Sequence, residues 1–378
     1  LRKDMKQRNL IIIVVLASFL LAALSGCKPQ PIPDQAPKTD LPIDQDKSID
    51  FVDMEGRAIK LDKEPERLLI IGSALRLYTY IAGTEKLVGV ERAQQDAQSG
   101  RPYIMAYPAL AELPIVGEGF PNDPDPELMI SVNPDLIIAG DIMDKDSLEQ
   151  LEVKFGVPIV IIMVGEDPVF DETTYNAMQV IGKATGNEAR VEELIIFMEK
   201  CKDELEELTK DIPEDERPTV YVGGISNRGI QGIDSTNGIS TLMMAINANN
   251  VANELGEGHF FIDKEKLIEW DPEILILDEN GLSVIQEDYQ KNPNYYNALS
   301  AVKNGQVYGQ LPYTSYYNNV ETALADLYYV GKLLYPNAFE NIDPQEKADE
   351  IYSFMLGVPL YEKMAEKYGG FEKIKLGE

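Results

Sequence analysis

Two segments lying well over a hundred residues apart carry the same short pattern. One is Glu127-Leu-Met-Ile-Ser-Val-Asn-Pro134-Asp-Leu-Ile-Ile138, and the other is Glu265-Lys-Leu-Ile-Glu-Trp-Asp-Pro272-Glu-Ile-Leu-Ile276. Each reads as a helix opened by a glutamate, a proline–acid break seven residues later, and then a buried aliphatic strand. Proline stops the helix because it lacks an N–H and biases its predecessor toward extended geometry. The unbroken apolar run that follows suits a parallel strand covered on both faces. A solenoid would need a short period and several copies, so one repetition at long spacing implies two similar α/β lobes. The twin glutamates Glu127 and Glu265 then occupy matching places on those lobes.

The start of the chain indicates where the lobes work. Lys6 and Arg8 precede the apolar run from Leu10 to Leu24, and Leu24-Ser25-Gly26-Cys27 follows. A basic segment, an apolar stretch too short to span a bilayer and small residues before a cut site form a secretory signal, assigned to residues 1–26. The tetrapeptide resembles the bacterial lipobox, in which the cysteine becomes the lipidated first residue; Cys27 is the expected lipidation site. Residues 27–49 hold five prolines and many polar residues, so a flexible tether is expected there.

The formal net charge is −30. Residues 1–26 contribute four cations (Arg2, Lys3, Lys6, Arg8) against Asp4, so the remainder stands near −33. That excess disfavours nucleic acid or an anionic bilayer as a partner, leaving the lipid as the only expected membrane contact. Cys201 is the only other cysteine. With Cys27 acylated, no intrachain disulfide can form.

Strands are expected at Arg67–Ile71, Leu87–Val90, Leu136–Ala139 and Pro158–Ile162, alternating with helices in a first lobe over 50–170. A helical segment over 171–213 contains the clearest helix of the sequence. Its apolar stripe is Val191, Leu194, Met198, Cys201, Leu205 and Leu208, with Asn187 as its expected cap and Pro213 beyond its end. About 24 residues would make a rod of about 36 Å. The second lobe, 214–378, carries strands at Thr219–Val222, Ile274–Leu277 and Val307–Gly309. A helix follows near 318–335, and another opens at Asp343-Pro344 and stops at Gly357.

Together the lipobox, the proline-rich tether, the two lobes joined by one long helix and Glu-x6-Pro-[Asp/Glu] in each lobe resemble one family. It is the substrate-binding lipoproteins of ABC importers for iron–siderophore complexes, haem, cobalamin and, in some members, molybdate or tungstate. The resemblance covers about 50–335. It implies two Rossmann-like lobes of mostly parallel sheet linked by a single helix, with little closure and a ligand held between them. It implies a lipid-anchored monomer outside the cytoplasm, working with a permease dimer and its ATPase subunits. Glu127 and Glu265 would pair with arginines of the two permease subunits. No intrinsic cofactor is implied. The cargo would be an iron chelate, haem or a corrinoid, with an oxyanion receptor of the same fold, or a surface lipoprotein without cargo, left as alternatives.

Open α/β sheets present ligands at the carboxyl ends of their strands. Candidate contacts are therefore Ser73, Arg76, Arg101 and Asp141 in the first lobe. In the second they are Arg228, His259, Tyr313, Tyr316 and Tyr317. Arg76, Arg101 and Arg228 together could hold an anion, because guanidinium forks match carboxylate and oxyanion geometry. The tyrosines could stack on a flat macrocycle. His259 is the only histidine, which disfavours a multi-histidine metal site and leaves little room for histidine-based catalysis. Gly-x-Ser-x-Gly and P-loop motifs are absent, so no enzyme is expected.

Overall fold

The computed structural model describes residues 48–96, 100–119, 125–141, 145–165, 169–315 and 317–377. Cys27, Met143 and Tyr316 lie outside the described residues. A hairpin of β1 (Ile49–Val52) and β2 (Ala58–Leu61) precedes β3 (Leu68–Gly72), β4 (Leu87–Gly89), β5 (Leu136–Gly140) and β6 (Ile159–Ile162). The last four form a parallel sheet in the order β4-β3-β5-β6. The second lobe contributes β7 (Thr219–Gly223), β8 (Ser235–Asn237), β9 (Asn249–Asn250), β10 (His259–Phe261), β11 (Ile274–Asp278) and β12 (Val307–Gln310). Its parallel sheet runs β9-β7-β11-β12, and β8 pairs antiparallel with β10.

The two orders superimpose: in both, the lobe's first strand of the sheet takes second place and the strand fed by the repeated motif takes third. The motif helices are Pro126–Ser131 and Lys264–Trp270. Their detail is also duplicated. Asn133 and Asp271, each just before the proline, adopt left-handed backbone with φ of 49° and 38°. This corrects the expectation of extended geometry. The proline ring disfavours right-handed backbone in its predecessor, and the helix end takes the left-handed alternative that Asn and Asp tolerate. The acid after each proline also acts alike. Asp135 accepts from the Glu66 and Arg67 amides at 2.9 and 3.0 Å, and Glu273 accepts from the Thr219 amide at 2.8 Å. Each acid thus anchors the start of the neighbouring strand, a role the sequence pattern did not disclose.

The linking helix runs Glu188–Thr209, 22 residues, and buries Val191, Leu194, Met198, Cys201, Leu205 and Thr209. Thr209 takes the place expected of Leu208, which packs only partly. Asn187 makes no side-chain cap; its amide donates to the Thr185 carbonyl instead, at 2.7 Å. Gly186, at φ 70°, closes the preceding helix Glu172–Thr185, a conformation glycine adopts without steric cost.

In every parallel strand but β9, alternate residues face different apolar layers, as double coverage demands. Leu68, Ile70, Leu136 and Ile138 of the first sheet join the linking helix and Val220, Val222, Ile274 and Ile276 of the second in one contiguous cluster. The helices Val320–Leu334, Pro344–Leu356 and Tyr361–Tyr368 extend the same cluster. The opposite faces form separate, smaller cores, in which Met129 and Leu267, equivalent residues of the two motifs, are fully buried.

Candidate functional site

At the carboxyl ends of β7, β11 and β12 the chain leaves the sheet in polar loops, and these loops enclose a cavity of about 1040 Å³. All of its described lining falls between Ile225 and Asn318, within the second lobe. Among its described lining residues Arg228 is the one cation and Glu257 the one acid; amides, hydroxyls and three aromatic rings supply most of the remaining polar surface. Ile230, Ile239 and Met244 are well exposed at the same cavity and give it an apolar part.

His259, on β10, is half-buried and fixed at both ring nitrogens. Asn227 Nδ2 lies 2.8 Å from Nδ1, and Ser235 Oγ lies 2.8 Å from Nε2. Because Ser235 spends its hydroxyl proton on the Ile225 carbonyl, it must accept from Nε2–H, which assigns the tautomer. Burial lowers the imidazole below its usual range, so the ring is neutral at pH 7. Its edge meets Phe261 at 4.9 Å between centroids. A ring held in this way contributes an aromatic surface and not a metal ligand. Among the described residues no cluster of three or more histidine, cysteine or acidic side chains is placed to hold a metal ion.

Tyr313 is buried, and its hydroxyl accepts from Asn237 Nδ2 at 3.1 Å. Tyr317 has φ 72° and donates its hydroxyl to the Asp141 carbonyl at 3.1 Å. Burial, with Asp141 and Glu91 nearby, pushes this phenol up to about 12. Both tyrosines line the cavity, Tyr317 as a protonated phenol.

The arginine trio is not assembled. Arg228 lines the cavity, exposed and with φ 52°. Arg76 and Arg101 are absent from the described lining and buried. Arg76 sits inside the helix Ala74–Ala82 and donates to the Asn318 and Ser315 carbonyls. Arg101 donates to the Ala93 carbonyl, Gln94 Oε1 and the Tyr103 hydroxyl. Both guanidinium groups are used where buried polar groups of the protein itself need a donor. Ser73 and Asp141 are likewise outside the described lining. Ser73 Oγ donates to Asp141 Oδ2 at 2.6 Å, and the Val164 amide donates to the same oxygen at 3.2 Å.

Sequence reasoning missed Asn237, Ser240, Thr241, Glu257 and Asn280, all of which line the cavity. Asn280 stands two residues beyond the end of β11 and donates to Ser226 Oγ at 2.8 Å. The strand-end rule covers that position and would have selected it.

Behind this wall lie three buried acids. Asp278 ends β11, Glu279 follows it, and Asp326 accepts from the Leu311 amide at 3.1 Å. Each has one carboxyl oxygen without a hydrogen-bond partner. A Cβ at Gly309 or Gly369 would stand 2.5 or 2.6 Å from Glu279 Oε1, so that oxygen is packed tightly against backbone. Burial pushes Asp278 and Asp326 well above the ordinary carboxyl range and Glu279 to about 8.

Glu127 and Glu265 stand in the first turns of the two motif helices, exposed and away from the cavity lining. Among the described residues no helix is long and apolar enough to cross a membrane.

The family model described as a periplasmic binding protein matches residues 76–312. The molybdate-binding protein MolA of Haemophilus influenzae is 20% identical over 366 residues, covering 92% of this chain and 96% of the relative. The Fe(3+)-citrate-binding protein YfmC of Bacillus subtilis is 28% identical over 196 residues, covering 50% of this chain and 58% of the relative. Among solved structures, a periplasmic solute binding protein from Veillonella parvula aligns with a TM-score of 0.67 at 20% identity, covering 85% of this chain and 97% of that one.

Proposed function

This chain belongs to the periplasmic binding protein family, and from that membership we propose that it is a lipid-anchored receptor that carries a bulky metal chelate to an ABC permease. It is a solute-binding protein and not an enzyme. The size and charge of the cavity carry the choice of cargo. A bare tetraoxoanion is best held in a small shell of converging donors. Here the described lining of about 1040 Å³ is made of neutral amides and hydroxyls, three aromatic rings, some apolar surface, one exposed arginine and one acid, Glu257, so it carries no net positive charge to hold a small anion. Such a lining suits an iron complex, haem or a corrinoid, with Tyr313, Tyr317 and His259 against its faces and Arg228 at its edge. The likeness to the molybdate-binding relative supports an oxyanion as the second reading.

Calorimetry against ferric citrate, haem, cyanocobalamin, molybdate and tungstate separates the two. Saturable binding of a chelate is the expected result. Tight binding of molybdate or tungstate with no chelate bound would overturn the first reading. Arg228→Ala should weaken chelate binding by about fivefold or less, because an exposed charge contributes roughly 1 kcal/mol or less.

Anchoring is the second part of the proposal. Acylated Cys27 would carry a diacylglycerol, and two chains suffice for stable attachment. In fractionated cells, Cys27→Ser is expected to shift the intact protein from the membrane to the soluble extracytoplasmic fraction. A Cys27→Ser protein that still sediments with membranes would refute the anchor.

A further inference from the structure

We infer that Arg76, which lies outside the described cavity lining, is a positioning residue through which the first lobe helps to set the shape of the second lobe's cavity wall. The inference rests on the reading of that cavity as the cargo site. Arg76 belongs to the helix Ala74–Ala82 of the first lobe and is buried. Its Nη1 donates to the Asn318 carbonyl at 2.7 Å and its Nη2 to the Ser315 carbonyl at 3.0 Å. Both acceptor residues line the cavity. The guanidinium also lies 5.1 Å from the centre of the Tyr103 ring, which fixes its plane from the first-lobe side.

The wall also carries bonds of its own. Thr314 bridges Asn318, Thr314 Oγ donates to Asn318 Oδ1 at 3.0 Å, and the Ser315 amide donates to the Tyr317 carbonyl at 3.0 Å. At its root, the fully buried Asn319 donates both its amide and its side chain to the Tyr313 carbonyl. Tyr317, at φ 72°, occupies a region that a bulky residue keeps only when its surroundings impose it. Contacts from the other lobe help to impose it: the Asp141 carbonyl takes the Tyr317 hydroxyl, and Arg76 donates to the Ser315 and Asn318 carbonyls. A planar fork can serve two acceptors at once, whereas a lysine is a point charge on a flexible stem.

The buried charge of Arg76 has its own counterpart. Glu321 is fully buried and accepts a hydrogen bond from the Tyr80 hydroxyl; burial raises its carboxyl above the ordinary value, opposed by that hydrogen bond and then by the nearby Arg76. Charge balance with Glu321 and positioning of the wall are therefore separable roles. Cargo affinity should depend on contact between the lobes even though the described lining belongs to one of them.

The test uses the full chain carrying Cys27→Ser. Arg76→Lys keeps a cation near Glu321 and should melt close to the parent. Amides in Leu311–Ser315 and Tyr317–Val320 should nevertheless exchange with deuterium roughly tenfold faster, because local opening is no longer opposed from the first lobe. Binding of ferric citrate or cyanocobalamin should weaken by roughly tenfold, mainly through faster dissociation. Arg76→Met combined with Glu321→Met removes both buried charges and should recover melting temperature relative to Arg76→Met alone, while exchange stays fast and affinity stays weak. Slow exchange and parental affinity in the double variant would overturn the inference and leave Arg76 as a counter-ion only. A parent protein that binds neither probe defeats these cargo choices, and the exchange arm then decides the role of Arg76 by itself.

Discussion

Reversing Glu127 and Glu265 to arginine together is expected to abolish cargo uptake in cells while leaving cargo affinity of the purified protein unchanged. Both carboxylates are exposed, stand in the first turn of the repeated motif helix, and lie outside the cavity lining. The proposed role is a contact with cationic residues on two permease subunits. Losing one partner of a buried interfacial charge pair costs about 2–5 kcal/mol, and reversal adds like-charge repulsion. Two such sites correspond to a drop in uptake of roughly a hundredfold or more, at about 1.4 kcal/mol per tenfold. Alanine at both sites should give a smaller loss in the same direction. Cellular uptake assays beside calorimetry make the separation visible. Reversed variants that lose affinity in proportion to uptake would remove the docking assignment.

The second large effect concerns pH. A carboxyl with a folded pKa above its unfolded value holds its proton longer in the folded protein. Its stabilising contribution is complete below the unfolded pKa and is lost as pH rises through the folded one. Glu279 moves from 4.5 to about 8, with burial as the main cause. At about 1.36 kcal/mol per unit, deprotonation opposes folding by roughly 4–5 kcal/mol once pH passes the folded value. Asp278 and Asp326 are pushed in the same direction. Urea unfolding followed from about pH 5 to about pH 9 should show stability falling steadily. Glu279→Gln stays neutral, can still accept from the Gly370 amide as Glu279 Oε2 does at 3.0 Å, and should flatten much of that slope. An unchanged slope in this variant would show that Glu279 does not carry the effect.

Much of the fold was legible because its signals are local and periodic. Aliphatic runs placed seven of the eight parallel strands within a residue or two, and the 3–4 stripe placed the linking helix. The missed strand is β9, only two asparagines long, with no apolar run to mark it. Asp343 accepts from the Gln345 and Glu346 amides as a cap should, because a cap needs only its own neighbours. The site was less legible. Strand ends pointed to Arg228, His259, Tyr313 and Tyr317, which line the cavity. They could not tell Arg228 from Arg76, since what separates these two is a long-range fact. The carbonyls that engage Arg76 belong to residues about 240 positions further along the chain. Likewise the twin motif announced two lobes, but nothing local revealed that its second acid holds the neighbouring strand.

The apolar layer that runs from the first sheet through the linking helix to the last three helices has a consequence for how the protein comes apart. Neither lobe owns a complete interior: each lends one sheet face to the shared layer and keeps only the other for itself. Melting one lobe would strip the cover from its neighbour, so the whole body should lose structure in a single cooperative step. A protein working outside the cytoplasm, beyond the reach of ATP-driven refolding, should then expose no half-folded intermediate for proteases to cut.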